Sequence, residues 1–467
     1  MNKALSFKRC LLILLAISAL SFAVRGLTMR FIRDRLTDRG WFQSGSYAIV
    51  DRTAQSILDG KSSILWMDDP SQIESAIYPP GYPLWIAFIY KVTGERSAAA
   101  VQRVQWILDA LSLLLVVGIG MSAFNWRVGL WAGLLAALSP LLALYGVAPG
   151  ADAPTSWIVL VGVWCLVISA KRQCWRWALA AGLIAGTSCW FRANAMLLVF
   201  FWALALLLVI KSDVRRRSLL AGSAVLGMVL VVTPIIVRNA KAFQAFVPTG
   251  LGLGTNLWEG IGETERAAEF GAVYGDDAVV EQERAARGLP ADAPFGLYSP
   301  DGVQRDRERT RKAIHVIASH PLWYLKVMAR RMWGTLNFAG EPSPFYGYLG
   351  INLTSKRLLP PDRQTGILAL VVNVLGMAQS VMRHVLLFLV ILGLWFAFKS
   401  DWRMASLVIS TPLYYLSAGS AMHMEIRYGL PMQAILLVIA GVAISELLSL
   451  ANILRHKLAA PASHLEH

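Results

Sequence analysis

Cysteine is scarce in this chain. Its four residues, Cys10, Cys165, Cys174 and Cys189, lie in or beside apolar stretches and never in a long polar segment. That excludes a disulfide-stapled extracellular domain and a CxxC-type metal ribbon. Acidic residues are also few, 29 against 44 basic ones, so the chain carries a formal charge of +15. No internal repeat or low-complexity tract is present. Gly250, Gly252 and Gly254 alternate, but without the strand–turn–helix context of a dinucleotide fingerprint they read as a flexible turn. What dominates is apolar sequence.

A hydrocarbon core roughly 30 Å thick needs about 20 apolar residues per helix. Ten runs near that length occur, at 10–27, 104–124, 128–146, 155–170, 175–190, 193–210, 218–237, 383–398, 404–421 and 430–450. If they alternate with the N-terminus inside, Lys3, Lys8, Arg9, Arg127, Lys171, Arg172, Arg176, Lys211, Arg215 to Arg217, Lys399, Arg403, Arg455 and Lys457 share one side. The positive-inside rule makes that side cytoplasmic. Both termini are then cytoplasmic, and two long loops, 28–98 and 238–380, are outside. The basic excess is thereby explained by orientation, and nucleic acid is not an expected partner. We expect an all-α polytopic membrane protein of about 10–12 transmembrane helices, forming a single domain over 1–464. Ser21-Phe22-Ala23 also fits a cleavage site, which leaves a signal peptide as the other reading of the first run. Leu465-Glu466-His467 resembles the start of a purification tag.

The loops carry their own signals. Residues 46–59 alternate at helical spacing up to Gly60, a C-cap residue. Leu84 to Val92 is too short to span and reads as an interfacial or re-entrant helix begun by Pro83. Arg311 to Leu336 reads as an amphipathic helix on the membrane surface, broken at His320-Pro321. Residues 364–379 are either a partial span or an extension of the next helix. Three prolines and a glycine make Tyr78-Pro79-Pro80-Gly81-Tyr82-Pro83-Leu84 a rigid turn, with two tyrosines suited to the headgroup level.

Several charges stand where charge is costly. Arg192, Arg238 and Arg427 each sit at the outer end of a span, against the positive-inside tendency, and need a partner or a function. For Arg192 and Arg427, snorkelling, or pairing with Asp152 or Glu425, is the structural reading. Asp152 is the only charge between the third and fourth spans, a candidate site acid or an N-cap beside Pro154. Asp109 is intramembrane, with interhelical pairing as its alternative reading. His423 and Glu425 are too isolated to propose a metal centre. Asn352-Leu353-Thr354 matches a glycosylation sequon.

The YPPGYPL turn, Ser139-Pro140, Phe191-Arg192, Thr233-Pro234-Ile235-Ile236-Val237-Arg238-Asn239, Phe246-Val247-Pro248, Gly254-Thr255-Asn256-Leu257-Trp258-Glu259-Gly260 and Glu425-Ile426-Arg427-Tyr428-Gly429-Leu430-Pro431 occur in that order. This series resembles the GT-C superfamily of membrane glycosyltransferases, and within it glycosyltransferase family 39. That group includes protein O-mannosyltransferases and lipid A aminoarabinose or galacturonic acid transferases. The resemblance implies a GT-C fold in a bacterial inner membrane. It also implies inverting transfer of a sugar from a polyprenyl-phosphate donor to a glycan, lipid or protein acceptor at the outer face. Relatives differ in metal use, so a divalent metal stays open.

Such enzymes place an acid early in the first loop, before a helix whose spacing Ala54, Ile57 and Gly60 keep. Here that place holds Gln43-Ser44-Gly45-Ser46. Asp51 is the nearest acid and the expected base, with Asp38, Asp68, Asp69 and Glu74 as alternatives. Asp152 would position the acceptor, and Arg192 and Arg427 would be the preferred phosphate ligands, with Arg238 also on the donor side and His423 and Lys241 as helpers. Tyr78, Pro80, Tyr82, Asn256, Trp258 and Glu259 would line the substrate region. The missing acid also suits a non-catalytic lipid-glycan binder. A lipid-linked-glycan transporter or flippase is the other rival, and it calls for an inverted repeat.

Overall fold

Backbone polar groups in a bilayer must be satisfied within the segment, which drives apolar runs into helices. The computed structural model describes residues 7–32, 46–61, 78–336, 365–423 and 425–459, and every regular element among them is helical. Asp38, Gln43 to Gly45, Asp68, Asp69, Glu74, the Asn352 sequon and Leu465 to His467 lie outside the described residues. In chain order the helices are α1 (Phe7–Ile32), α2 (Ser46–Leu58), α3 (Gly81–Thr93), α4 (Ala98–Ala123), α5 (Trp126–Leu138) and α6 (Pro140–Val147). They continue as α7 (Asp152–Arg172), α8 (Trp175–Phe191), α9 (Leu198–Val209), α10 (Val214–Phe243) and α11 (Leu253–Gly262). Then follow α12 (Ala267–Phe270), α13 (Asp276–Ala286), α14 (Gly302–Ser319), α15 (Pro321–Leu336), α16 (Ile367–Ser420) and α17 (Leu430–Ala459).

All ten expected runs fall on helix, but fewer reach spanning length. Six helices, α1, α4, α7, α10, α17 and the His384–Ser420 part of α16, are long and apolar enough to cross a membrane. A seventh is added if α5 and α6, bent by 60° at Ser139-Pro140, count as one span. Two expected spans merge in α16, whose 54 residues would run about 80 Å if straight. They are divided at Asp401, where the backbone leaves the helical region (φ −148°, ψ 89°). The Asp401 carboxylate accepts from the Arg403 and Met404 N–H groups at 3.1 Å each, an N-cap for the second half. Residues from Ile367 extend this helix and form no separate element.

Close backbone approach packs the bundle. A Cβ on Gly182 would lie 1.8 Å from Ala224 O of α10, and one on Gly227 would lie 2.4 Å from Leu179 O of α8. Glycine at these positions lets α8 and α10 touch backbone to backbone, the small-residue packing usual in membranes. Asp109 is paired across helices: Arg25 of α1 contacts it at 2.5 Å, and Trp157 Nε1 of α7 donates at 2.8 Å. Pro140 has no N–H for the carbonyl four residues earlier. Arg25 reaches the carbonyls of Ala136 and Ala137 at 3.4–3.5 Å, so one guanidinium serves both the bend and the buried acid.

Two short helices appear as expected. α2 ends at Gly60 (φ +68°), and α3 ends at Gly94 (φ +71°). The break at His320-Pro321 is present, and α15 is anchored to the end of α16. Tyr324 Oη donates to Ala421 O at 3.0 Å, and the buried Arg331 donates to Ser420 O at 3.1 Å. The polar stretch 259–313 is folded around one carboxylate. Glu283 of α13 receives Arg305 and Arg309 of α14, each at 2.6 Å. Asp306 accepts from the Gly254 and Thr255 N–H groups at 3.1 and 3.3 Å, capping α11.

Candidate active site

One end of the bundle gathers charges from four distant parts of the chain. Asp152 opens α7 without capping it: the cap position is Ala151, and no side chain caps there. Its carboxylate is gripped by Arg192, with Nε 2.9 Å from Oδ1 and Nη2 3.2 Å from Oδ2. Arg192 follows the last residue of α8 in extended backbone (φ −147°), which turns its side chain back toward α7. Arg427, in the 3-10 turn Ile426–Gly429, holds Glu425 through two contacts of 2.5 and 2.6 Å. Tyr428 lies between the two arginines, its ring centre 4.7 Å from the Arg192 guanidinium and 5.5 Å from that of Arg427.

The network continues into the loop helices. His423 Nδ1 is 2.5 Å from Glu263, and its Nε2 is 3.7 Å from Glu425. Arg331 pairs with Glu263 at 3.1 Å and donates to Gly260 O. The His423 N–H donates to Asn256 O at 2.7 Å, and a Cβ on Gly260 would come within 2.7 Å of that nitrogen. Asn256, Glu259, Gly260 and Glu263 share one face of α11, so this helix is pressed against the chain leading into the Arg427 turn.

Burial opposes a charged His423, but its hydrogen bonds to Glu263 and Glu425 and their negative charges outweigh that and raise its pKa to about 10. Burial likewise opposes ionisation of Glu425, yet Arg427 and His423 hold its carboxyl well below the usual range. Glu259 has no such cation bound to it. Burial first, then the neighbouring Asp276 carboxylate, push it up to about 7.

A pH dependence follows for His423. The stability from its charged form is fully present below about 6.5, the ordinary histidine value, and is lost as pH rises toward about 10. Wild type should therefore lose more melting temperature between pH 6.5 and 10 than His423→Gln does. Parallel loss in both proteins would refute the charged assignment.

Of the expected residues, the structure brings together Asp152, Arg192, Arg427, His423 and Glu259. The Tyr78 turn stands beside them. A Cβ on Gly81 would meet Trp190 O at 2.6 Å, so the turn docks on α8 two residues before Arg192, with Pro80 capping α3. Burial first, then the Asp276 charge, raise the Tyr78 pKa, while Arg192 and Arg427 lower it. Asp51 is held elsewhere, by the Tyr90 hydroxyl and by Gln55 Nε2 at 2.9 Å, and ties α2 to α3. Arg238 is buried at the end of α10 with Asn239 Oδ1 at 3.0 Å, and Lys241 is exposed on the last turn. Trp258 sits in the core of the loop helices, where it packs with Ile261 and Tyr324. Glu263, Asp276 and Arg331 were missed. Glu263 could have been found four residues after Glu259 on the same helical face; Arg331 carries no comparable signal.

Arg192 and Arg427 keep 25% and 19% of their side-chain surface, against 6% for Asp152. An entering anion therefore reaches the guanidinium groups first and competes with the carboxylates for their paired N–H donors. Among the described residues, no three His, Cys, Asp or Glu side chains are grouped to hold a metal ion.

Residues 78–237, from the Tyr78 turn nearly to the end of α10, match the family described as dolichyl-phosphate-mannose-protein mannosyltransferase. No curated protein matches the sequence. The fold is similar to that of the archaeal oligosaccharyltransferase AglB from Archaeoglobus fulgidus, solved in complex with an inhibitory peptide and a dolichol-phosphate. That match has a TM-score of 0.50 at 13% identity and covers 99% of this chain and 53% of that one. The apo form of the Archaeoglobus fulgidus oligosaccharyltransferase gives a TM-score of 0.53 at 13% identity, over 98% of this chain and 53% of that one. The chain thus spans about half the length of the structures it matches. Over residues 78–237 the chain is thus similar to that mannosyltransferase family, and the helical architecture shared with the archaeal structures shows the fold.

Proposed function

We propose that the chain is an inverting glycosyltransferase that moves a sugar from a polyprenyl-phosphate donor to an acceptor at the outer face of a bacterial cytoplasmic membrane. The observation that carries this reading is the Asp152–Arg192 and Arg427–Glu425 pairs meeting across Tyr428 at one end of the bundle. The basic residues in the short turns favour placing that end outside. The donor in the matched family's description and the dolichol-phosphate in the archaeal complex support a lipid-phosphate leaving group.

The chemistry follows from the geometry. An acceptor hydroxyl attacks the anomeric carbon from the side opposite the phosphate, and its proton passes to the Asp152 carboxylate. The bond between that carbon and the phosphate oxygen breaks through an oxocarbenium-like state, and its electron pair leaves with the lipid phosphate. Arg427 and Arg192 stabilise the charge that develops there. Arg192, drawn toward the phosphate, releases Asp152 to act as base. Asp51, occupied by Tyr90 and Gln55, serves as a positioning residue for the α2–α3 corner. The loop helices α11 to α15, pinned through His423, Glu263 and Arg331, cover the site and limit hydrolysis.

The test uses purified protein in nanodiscs, a panel of radiolabelled polyprenyl-phosphate sugars and host membrane extract as the acceptor source. Wild type should label an acceptor with one of the donors, and Arg427→Gln should cut the rate by roughly 10²–10³-fold. Donor binding without transfer, when an acceptor is shown to be present, would favour a non-catalytic binder.

A further inference from the structure

Among the described residues, three buried polar groups around the Asp152–Arg192 pair find no hydrogen-bond partner. They are Tyr82 Oη, Tyr415 Oη and Gln105 Oε1, on side chains only 4%, 4% and 0% exposed. Buried groups of this kind are ordinarily satisfied, because each loses its water on folding. Three at one ion pair call for a common reason. Tyr82 follows Gly81, which abuts Trp190 O two residues before Arg192, and Tyr415 follows Tyr414, whose hydroxyl donates at 2.5 Å to Asn194 O, two residues after Arg192. Gln105 Nε2 donates to Gly150 O at 2.9 Å, so this amide is fixed against the loop that leads into Asp152.

We infer that Tyr82, Tyr415 and Gln105 are recognition residues for an uncharged, hydroxyl-rich group, the sugar of the donor, bound beside Asp152 behind Arg192. This rests on the lipid-phosphate donor reading above. A tyrosine hydroxyl both donates and accepts, whereas the amide oxygen of Gln105 only accepts. Sugar hydroxyls complement that set because each can also donate and accept. A uronic acid would bring its carboxylate against Asp152 and the Gln105 oxygen. That charge has no free counter-charge among these three residues. The Asp152–Arg192 bridge covers the groups, and a donor phosphate that draws Arg192 away uncovers them. The close fit of Gly81 against Trp190 O keeps Tyr82 in place as this happens.

The experiment measures dissociation constants in nanodiscs for three probes: bare polyprenyl phosphate and polyprenyl phosphate carrying a neutral hexose or a uronic acid. Wild type should prefer the neutral-hexose probe over the other two. Tyr82→Phe and Tyr415→Phe should each reduce the preference for hexose over bare lipid by about five- to tenfold, with bare-lipid affinity unchanged. Gln105→Met should do the same, and melting curves on all three confirm that each is folded. Arg427→Gln should weaken every probe alike. Binding of bare lipid with no gain from the hexose, equal or tighter binding of the uronic acid, or an intact preference in the variants would overturn the inference alone. No binding of any polyprenyl phosphate to wild type would overturn the donor reading and the inference with it.

Discussion

Asp152→Asn should lower the rate of sugar transfer by roughly 10²–10⁴-fold, the usual contribution of a positioned general base. The amide keeps the shape of the side chain at the start of α7 and an oxygen for Arg192, so donor affinity should change only a few-fold. That separation distinguishes a base from a structural acid. Asp51→Asn is the control. Its carboxylate already accepts from Tyr90 and Gln55, so its loss should act through the α2–α3 corner and cost less than about tenfold in rate. The measurement is kcat alongside donor binding for both variants. Collapse of transfer in Asp51→Asn with Asp152→Asn nearly intact would reverse the assignment and return the base to the first loop.

Asp109→Ala should destabilise the bundle by about 3–5 kcal/mol, because it leaves the Arg25 guanidinium, 1% exposed, without its counter-charge. The same change removes the acceptor of Trp157 Nε1, so α1, α4 and α7 lose a shared anchor. Arg25→Met combined with Asp109→Leu should be much less harmful, since it removes both charges together. Melting temperatures of the two single variants and the double variant in one detergent supply the cycle. Additive losses would show that the pair is not coupled. Transfer by the surviving double variant should stay near wild type, because neither residue belongs to the Arg192–Arg427 network.

Much of this molecule is written locally. Apolar runs of membrane length predict helices because their backbone has no other means of satisfying itself in lipid. Gly60, Gly94 and the His320-Pro321 break mark their elements from a few neighbouring residues. Span counting was less secure: Ser139-Pro140 bends one run by 60°, and α8 and α9 are shorter than a full crossing. The order of motifs from Tyr78 to Pro431 carries the resemblance to the superfamily, and Arg192, Arg427 and Arg238, charges at the ends of their spans, are found paired or buried. For Trp258 and Asp51 the sequence gives no sign of their neighbours, because an aromatic in a motif and an acid near an expected position look alike whether they face a ligand or the protein. Trp258 packs with the loop core, and Asp51 binds Tyr90.

By itself the sequence determined what short-range chemistry decides: the membrane class, the helix ends, the rigid Tyr78 turn and the charges that required a partner. Only the tertiary structure decided who those partners are. Asp109 meets Arg25 from 84 residues away, Asp152 meets Arg192 from 40, and His423 meets Glu263 from 160. Pairs so distant in sequence leave no periodic trace. They form only when helix packing brings their side chains within a few ångströms, and burial there makes an unpaired charge too costly to keep.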